Sequence, residues 1–378
     1  MNGPVFLNGP VQNGSFDFQG RPGKAVGIRI AATLNDILGH RPVPHLWNTV
    51  TLAGDLRHRR MAAAATTRRR DLEADLIAAK YLPSAPPVGG VVTDADAEVA
   101  QLALAMIEEQ LRRGDLRLSR ETVRTCRECG HLTGAGGHAC RACGSLRIGA
   151  KSALHLVAEA GDSRAVLDRS NIHAAHRRQP LHLQRTAPIG APRLILSRTR
   201  QYGIELSPLG LDGLVLDPRA GLHVAVLSVA RALQADVAVM TTTQNAARNI
   251  AAYGQYFRAH QGTRLQYALH GHAPYDDVAG TLSQVYPAYR ADAGTRSAFE
   301  RWFLPLMTLK EKTAIPAPQL VALFRYFART LMSLPAHCDE AVLQELRQAV
   351  VAGDPSWVTS RVKLAHAVLL ADPVHPDD

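Results

Sequence analysis

Apolar residues and turn residues alternate along the first 55 positions in the pattern of a strand, a helix and a second strand. "PVFLNG" is a short apolar run that ends in a turn, and "GKAVGIRIAATLNDILGH" spaces its apolar residues as a helix does. "VPHLWNTVTL" predicts the second strand. A strand, a helix and a second strand in this order form a βαβ unit, which predicts a parallel sheet.

The remainder of the chain continues the alternation and then becomes helical. "DAEVAQLALAMIEEQLRRGDL" predicts an amphipathic helix that ends at Gly114. Later strands are predicted at "PRLILSR", "DGLVLD", "DVAVMT" and "RLQYALHG", and helices at "GLHVAVLSVARALQ" and "NAARNIAAYGQYFRAH". From about residue 295 onward every pattern is helical.

Four of the five cysteines form two C-x-x-C pairs between these regions, Cys126 with Cys129 and Cys140 with Cys143. Intracellular thiols stay reduced, so such pairs indicate metal ligands rather than disulfides. Four thiolates complete a tetrahedral structural zinc site and leave no open position for catalysis. Cys338 stands alone in a predicted helix, where we expect it to be buried.

The charge of the chain is strongly positive, at +10 with a pI near 9.7. This favours a polyanionic partner such as RNA, although an arginine-rich composition could equally reflect codon usage. Two basic clusters, residues 57–70 and 173–185, could follow a phosphate backbone, but without aromatic neighbours a solvated face is the favoured interpretation. The N-terminus lacks a secretory signal, and arginines interrupt the apolar stretches, so we expect a soluble cytoplasmic protein without a membrane partner.

Six collinear fragments resemble the catalytic core of class I aminoacyl-tRNA synthetases, closest to the methionyl-tRNA synthetase branch, over about residues 4–290. They are "LNGPVQNGS", "LRRGDLRLSRETVRTCRECG" with "CRACGS", "SALHLVAEA", "LILSRTRQYGIELSP", "LVLDP" and "YALHG". The resemblance implies an α/β protein: a Rossmann-type parallel sheet split by a zinc-knuckle insertion, then a helical C-terminal region. The expected divisions are residues 1–115 and 151–290 for the two halves of the core, 116–150 for the knuckle, and 291–378 for helices that contact a tRNA stem.

The chain departs from the family at the residues that handle ATP. Two histidines of the first signature are replaced by Gln12 and Ser15, while Gly14 is retained. The lysines of the second signature are replaced by Thr281 and Gln284 in "TLSQV". The family's G-K-D appears as residues 242–244, its F-H histidine as Asn249, and its acidic G-T-D-E-H-G strand end as residues 47–50. Each lost donor costs about 10²–10³ in rate, so ordinary ATP-driven tRNA charging is not expected.

The resemblance and the strand ends together nominate residues for binding a substrate or a nucleotide. They are Leu7, Asn8, Gly9, Gln12, Asn13, Gly14, Ser15, Asp217, Gln244, Asn249, His270, Gly271 and Ser283. Alternatives stay open for several: Asp217 could simply cap the next turn, and Gln244 and Asn249 could serve helix capping. Asp276 and Asp277 could bind a cation or an amine, but turn chemistry explains them equally well. For Arg198 and Arg200, substrate contact and domain packing are equally compatible with the sequence.

The resemblance, taken with these departures, favours a methionyl-tRNA-synthetase-like protein that acts outside translation. It would bind an amino acid, an aminoacyl-adenylate or an aminoacyl-tRNA, and transfer the acyl group to a small-molecule or protein acceptor. Structural zinc is the expected metal, and ATP with Mg²⁺, or an adenosine moiety, is a further candidate ligand. A tRNA acceptor stem and a biosynthetic partner enzyme are candidate partners, as in hydrazine synthetases, where a similar domain works beside a cupin. The alternative is a non-catalytic pseudo-synthetase that senses amino acid or tRNA, or scaffolds a partner enzyme.

Overall fold

The computed structural model of this protein describes most of the chain. The described ranges are 3–10, 26–40, 43–47, 90–94, 96–128, 130–133, 137–140, 144–159, 166–174, 193–199, 203–274, 278–311, 314–331 and 339–371.

Twelve strands lie in these ranges. They are β1 (Val5–Asn8), β2 (His45–Trp47), β3 (Val91–Thr93), β4 (Leu116–Cys126), β5 (Ile148–Glu159), β6 (Ile172–Ala174), β7 (Arg193–Ile195), β8 (Ser197–Arg198), β9 (Val215–Leu216), β10 (Val237–Thr243), β11 (Ala259–His260) and β12 (Thr263–His270).

Helices follow the same order. They are α1 (Val26–Ile37), α2 (Ala97–Arg113), α3 (Pro218–Ala232), α4 (Gln244–Gly254), α5 (Val278–Thr281), α6 (Val285–Ala288), α7 (Ala293–Ser297), α8 (Leu304–Met307), α9 (Leu320–Leu331), α10 (Glu340–Ala352) and α11 (Arg361–Ala371), with a π-helical turn at Ala298–Phe303 between α7 and α8. The predicted helix over "DAEVAQLALAMIEEQLRRGDL" is confirmed as α2. It ends as expected at Gly114, whose φ of 82° is the left-handed conformation that glycine adopts readily.

The central sheet is mainly parallel, as the sequence predicts, but the second predicted strand, β2, does not belong to it. β1 pairs in parallel with β10, β10 with β12, and β12 with β6, while β11 adds a short antiparallel edge to β12. β2 and β3 form a second parallel pair. Because parallel strands present their carboxyl ends at one edge, the residues that follow β1, β10 and β12 lie together there.

Alternate residues of the central strands enter two different cores. Leu7, Met240 and Leu269 pack into a core shared with α2, α3 and α4. Phe6, Val239 and Ala268 face the other side and pack with α1 and the C-terminal helices. Both faces of the sheet are therefore covered, which explains why its strands consist of nearly continuous apolar residues.

The predicted strands at "PRLILSR" and "DGLVLD" form, but outside the central sheet. β7 pairs antiparallel with β5, and β8 pairs antiparallel with β9. An apolar run predicts that a strand will form and does not specify its partner, so these short strands could not be placed from sequence. Between α2 and β6, β4 and β5 form a long antiparallel ribbon.

Membrane insertion has no candidate in the described part of the chain, where no helix is both long and apolar enough to cross a bilayer.

Candidate functional site at the carboxyl edge of the sheet

Three strand ends place predicted site residues side by side. In the strand registers, Asn8 lies opposite Thr241, and Thr243 lies opposite His270. Gly9, Gln244 and Gly271 follow directly along the chain. The structure therefore brings together Leu7, Asn8, Gly9, Gln244, His270 and Gly271 at one edge, although their binding roles stay predictions.

Gly9 permits a very close approach between β1 and β10. Its N–H donates to the Thr241 carbonyl over 2.8 Å. A Cβ at this position would lie 2.7 Å from the same oxygen, closer than real Cβ contacts. Glycine is therefore required here by packing, whether or not a ligand also contacts the backbone.

Thr241 ties the start of α1 to this edge and was not singled out from the sequence. Its hydroxyl donates to the Gly27 carbonyl over 2.7 Å. A Cβ on Gly27 would lie 3.4 Å from both Thr241 Oγ1 and His270 Nε2. The first turn of α1 therefore packs directly against the ends of β10 and β12. The run of threonines at 241–243 resembled ordinary strand sequence and carried no signal of this role.

His270 is a buried, neutral side chain at this edge. It is only 4% exposed, and its Nδ1–H is positioned to donate to the Gly271 carbonyl, 2.7 Å away. Burial lowers the pKa of His270 to about 4; the hydrogen bond to Gly271 opposes this shift and the charge of His272 adds to it. At neutral pH the ring carries no positive charge, and Nε2 is left as an acceptor.

Gln244 begins α4 immediately after β10. The Thr243 hydroxyl caps this helix by accepting from the Ala246 N–H over 3.2 Å. The Gln244 Oε1 atom is buried and has no hydrogen-bond partner within the described ranges. Capping is thus performed by Thr243, and the Gln244 amide remains available to a donor group. Asn249, in contrast, lies on the exposed side of α4.

Three of the nominated residues have structural roles that account for them fully. Leu7 packs in the core. The side-chain amide of Asn8 is occupied on both of its polar atoms by the backbone of Leu46. The Gly271 N–H donates to the Thr308 carbonyl over 2.9 Å, which ties the end of β12 to the C-terminal helices.

Asp217 is a buried helix cap inside an ion cluster. Its Oδ1 accepts from the backbone N–H and Nε of Arg219, both over 2.9 Å. Its Oδ2 accepts from Arg198 Nε over 2.6 Å and from Arg219 Nη2 over 2.8 Å. With Asp217 1% exposed and both oxygens engaged, the capping alternative describes this residue. A ligand would have to displace one of these bonds.

The same cluster gives Arg198 a packing role and adds two residues that sequence analysis missed. Arg198 Nη2 donates to the Tyr253 hydroxyl over 3.2 Å, and the Arg219 guanidinium lies 3.3 Å from the centre of the Tyr253 ring. Burial raises the pKa of Asp217, but the hydrogen bond and charge of Arg219 and the charge of Arg198 outweigh it, so the net pKa is lowered. The D-P-R sequence, an N-cap followed by proline, was the available signal.

The segment that corresponds to the second signature is folded into helical turns. Leu282 is fully buried and Tyr286 packs against Phe324 of α9, with ring centres 4.9 Å apart. The Tyr286 N–H donates to the Leu282 carbonyl over 3.0 Å. Ser283 lies exposed between these anchors. The structure does not place Ser283 against the strand ends, so its nucleotide contact stays a prediction.

Two backbone turns near the tip of the β4–β5 ribbon share one geometry. The Cys126 N–H donates to the carbonyl of His131, and the Cys126 carbonyl accepts from the Gly130 N–H, both over 2.9 Å. In the same way the Cys140 N–H donates to the Ser145 carbonyl and the Cys140 carbonyl accepts from the Gly144 N–H, both over 2.8 Å. Both glycines have left-handed φ values, 71° and 78°. Each first cysteine is 2% exposed. Two equivalent turns presenting thiols fit the predicted zinc site, which Cys129 and Cys143 would complete.

Several predictions fall outside the described residues. These are Gln12, Asn13, Gly14, Ser15, Cys129, Cys143, Arg200, Asp276, Asp277, Cys338, the basic cluster 57–70 and most of the cluster 173–185. Among the described residues alone, no group of three or more histidine, cysteine or acidic side chains could hold a metal ion.

Comparison by sequence finds no relative: no protein-family model and no curated protein matches the chain. Comparison of structures does find similar proteins. The chain is similar to Mycobacterium tuberculosis methionyl-tRNA synthetase bound by methionyl-adenylate, with a TM-score of 0.54 and 12% identity over 97% of this chain and 82% of that one. A second structure of that enzyme with methionyl-adenylate gives 0.48 and 12% over 98% and 92%. At such identity the likeness concerns the fold, and the chain has the class I aminoacyl-tRNA synthetase fold of the methionyl-tRNA synthetase type.

Proposed function

We propose that this chain binds an amino acid or an activated aminoacyl group at the carboxyl edge of its sheet and transfers the acyl group to a small-molecule or protein acceptor, outside tRNA charging. One observation carries the proposal: on a synthetase fold, the described side chains that end or directly follow β1, β10 and β12 are uncharged. They are the Asn8 and Gln244 amides and the neutral imidazole of His270.

Making an aminoacyl-adenylate requires positive groups where charge develops on the phosphates. Each such preorganised donor is worth about 10²–10³ in rate. The sequence substitutes Gln12, Ser15, Thr281 and Gln284 at four of these positions. Together these losses remove on the order of 8 kcal/mol of barrier reduction, even when non-additivity is allowed for.

Transfer of an acyl group that was activated elsewhere needs fewer catalytic groups than formation of an aminoacyl-adenylate. An acceptor amine attacks the ester carbonyl of an aminoacyl-tRNA, and a C–N bond forms as the ester C–O bond breaks. The electron pair leaves on the 3′ oxygen of the terminal adenosine, which takes the amine proton directly or through water. Such aminolysis depends chiefly on holding the two reactants in position, which the strand-end backbone, the Gln244 amide and the neutral His270 ring can do.

Ligand chemistry at this edge suits neutral hydrogen bonding. The buried His270 Nε2 and Gln244 Oε1 both accept, so they favour hydroxyl, amide or ammonium donors such as a ribose or an α-amino group. The structural relative binds methionyl-adenylate. An adenosine, free or at the 3′ end of a tRNA, is the corresponding ligand proposed here.

The proposal is tested with tRNA charged with one radiolabelled amino acid at a time, mixed with the protein and a set of amines and acceptor proteins. Protein-dependent movement of the label from tRNA to an acceptor supports transfer. Gln244→Ala should reduce it, whereas Gln261→Ala, in the β11–β12 turn at the opposite edge of the sheet, should leave it unchanged. If the protein binds charged tRNA saturably but the radiolabelled amino acid stays on the tRNA with every acceptor, the protein is a binding-only pseudo-synthetase.

A further inference from the structure

Among the strands that the structure describes, none pairs with the outer edge of β4 in the β4–β5 ribbon. The Thr133 N–H donates to the Arg124 carbonyl over 2.8 Å, on the side away from β5. Alternate residues of a strand point their backbone groups to the same side, so Leu118, Arg120 and Thr122 also face away from β5. Within the described part of the chain, the N–H and C=O groups of these three residues form no hydrogen bond. We name Leu118, Arg120 and Thr122 the β4 edge.

The side chains beside the β4 edge are cationic and aliphatic. Leu118 and the diagonal neighbour Leu154 are each 38% exposed, and Arg120 and Arg124 are exposed on the same face. Two acidic residues of the ribbon form ion pairs with other arginines than Arg120, Glu121 with Arg193 at 3.1 Å and Glu159 with Arg117 at 2.6 Å. An eleven-residue strand with an exposed backbone row is an uncommon feature, because such edges invite pairing.

We propose that the β4 edge binds an acidic, extended segment of a partner protein, which adds to the ribbon as a further strand. The backbone row of the β4 edge supplies the main-chain hydrogen bonds, and Arg120 selects carboxylates on its face of the ribbon. A second copy of this chain fits less well, because two-fold pairing would gather Arg120 and Arg124 of both copies on one face. Nucleic acid also fits less well, since the face is lined by leucine, threonine, serine and alanine rather than by aromatic rings.

The register provides a matched pair of proline variants. Thr122 and Ser152 lie opposite each other, and each directs its N–H to its own outer edge rather than to its partner. Thr122→Pro and Ser152→Pro therefore place the same change on the same ribbon, and neither removes a bond between β4 and β5. Only Thr122→Pro removes a donor from the β4 edge.

The probe is a fluorescein-labelled peptide of four Thr-Glu repeats, titrated with the full-length protein and followed by fluorescence anisotropy. We expect saturable binding that weakens about 3- to 10-fold in Thr122→Pro and is unchanged in Ser152→Pro. Arg120→Glu should weaken binding of this peptide and strengthen binding of the matched peptide of four Thr-Lys repeats. The change in peptide preference caused by Arg120→Glu does not depend on how well the proline variant folds.

Three outcomes would overturn the proposal. The first is absence of saturable binding up to about 1 mM peptide, the range in which weak strand addition would still be detected. The second is a dimer in sedimentation that Thr122→Pro dissociates, which would assign the edge to self-association. The third is binding of polyuridylate that Arg120→Glu abolishes while Thr122→Pro does not, which would assign the face to nucleic acid.

Discussion

The side chain of Asn8 forms a pair of hydrogen bonds with the backbone of Leu46, as a neighbouring strand would. Asn8 Nδ2 donates to the Leu46 carbonyl over 2.8 Å, and Asn8 Oδ1 accepts from the Leu46 N–H over 2.9 Å. Asn35 of α1 does the same for Phe6, with bonds of 2.9 and 2.8 Å. Two buried amides thus satisfy backbone groups that no regular ladder reaches, and Asn8 joins β1 to β2.

Asn8→Asp is expected to destabilise the protein in a pH-dependent manner. A protonated carboxyl group at position 8 can donate to the Leu46 carbonyl as the amide does. An ionised carboxylate cannot donate, and its negative charge would be buried against the Leu46 carbonyl oxygen. The free energy of unfolding should therefore fall by about 2–3 kcal/mol at pH 7 and by less below about pH 4. Urea unfolding at both pH values measures this. Asn249→Asp on the exposed side of α4 is the control, and an equal loss there would contradict the bridging role.

Asp217→Asn should remove much of the acid sensitivity of the fold. Because the folded-state pKa of Asp217 is lowered, its stabilising contribution is complete above the ordinary carboxyl range, near pH 4, and is lost as the pH falls through the lower folded pKa. The variant keeps the Oδ1 cap but leaves Arg198 and Arg219 without their carboxylate.

We expect a loss of about 3 kcal/mol at pH 7 for Asp217→Asn, with a flatter stability profile between about pH 5 and 2. Urea unfolding across this range, compared with wild type, is the measurement. Parallel profiles for the two proteins would show that the ion cluster is not what responds to acid.

Gly254→Ala should disturb the packing of α4 on α3. A Cβ at Gly254 would lie 2.1 Å from His223 Nε2, and that ring is held by bonds to the Arg219 carbonyl and the Tyr267 hydroxyl. Overpacking of this kind costs about 1–3 kcal/mol. The matched change Gly294→Ala meets only Asp292 Oδ1 at 3.7 Å, so thermal unfolding should show no loss. Similar shifts in both variants would contradict the explanation.

Zinc content tests the two cysteine turns. We expect about one zinc ion per chain, released by thiol modification, with Cys126, Cys129, Cys140 and Cys143 as the ligands. Cys126→Ser should lower the zinc content and destabilise the ribbon tip, because the remaining thiolates lose their closed tetrahedron. Cys338→Ser should retain the metal. A metal-free protein with intact stability would refute the structural zinc site.

The sequence predicted the central sheet because its period and turns are local features. The helix that ends at Gly114 and the strands at "PVFLNG", "DVAVMT" and "RLQYALHG" all lie where the pattern placed them. The pairing partners of the strands in "PRLILSR" and "DGLVLD" could not be predicted from sequence, because pairing depends on which strand edges remain open after the long strands associate.

Polar residues at strand ends were the hardest to interpret. Asn8, Asp217 and Gln244 looked equivalent in sequence, as polar groups where an α/β ligand would bind. In the structure Asn8 joins two strands, Asp217 holds two arginines, and only Gln244 keeps a buried atom without a described partner. The sequence gives the residue type and its position on the strand. It does not show whether the side chain is already hydrogen-bonded to a backbone group or a guanidinium from a distant part of the chain.

We propose that this chain has a synthetase fold in which Gln12, Ser15, Thr281 and Gln284 replace the charged groups that activate an amino acid with ATP. Amino-acid-dependent exchange of labelled pyrophosphate into ATP, measured with magnesium and each amino acid in turn, tests it most directly. We expect no exchange above the protein-free background, beside a methionyl-tRNA synthetase that exchanges readily under the same conditions. Exchange at an ordinary synthetase rate with any amino acid would contradict the account.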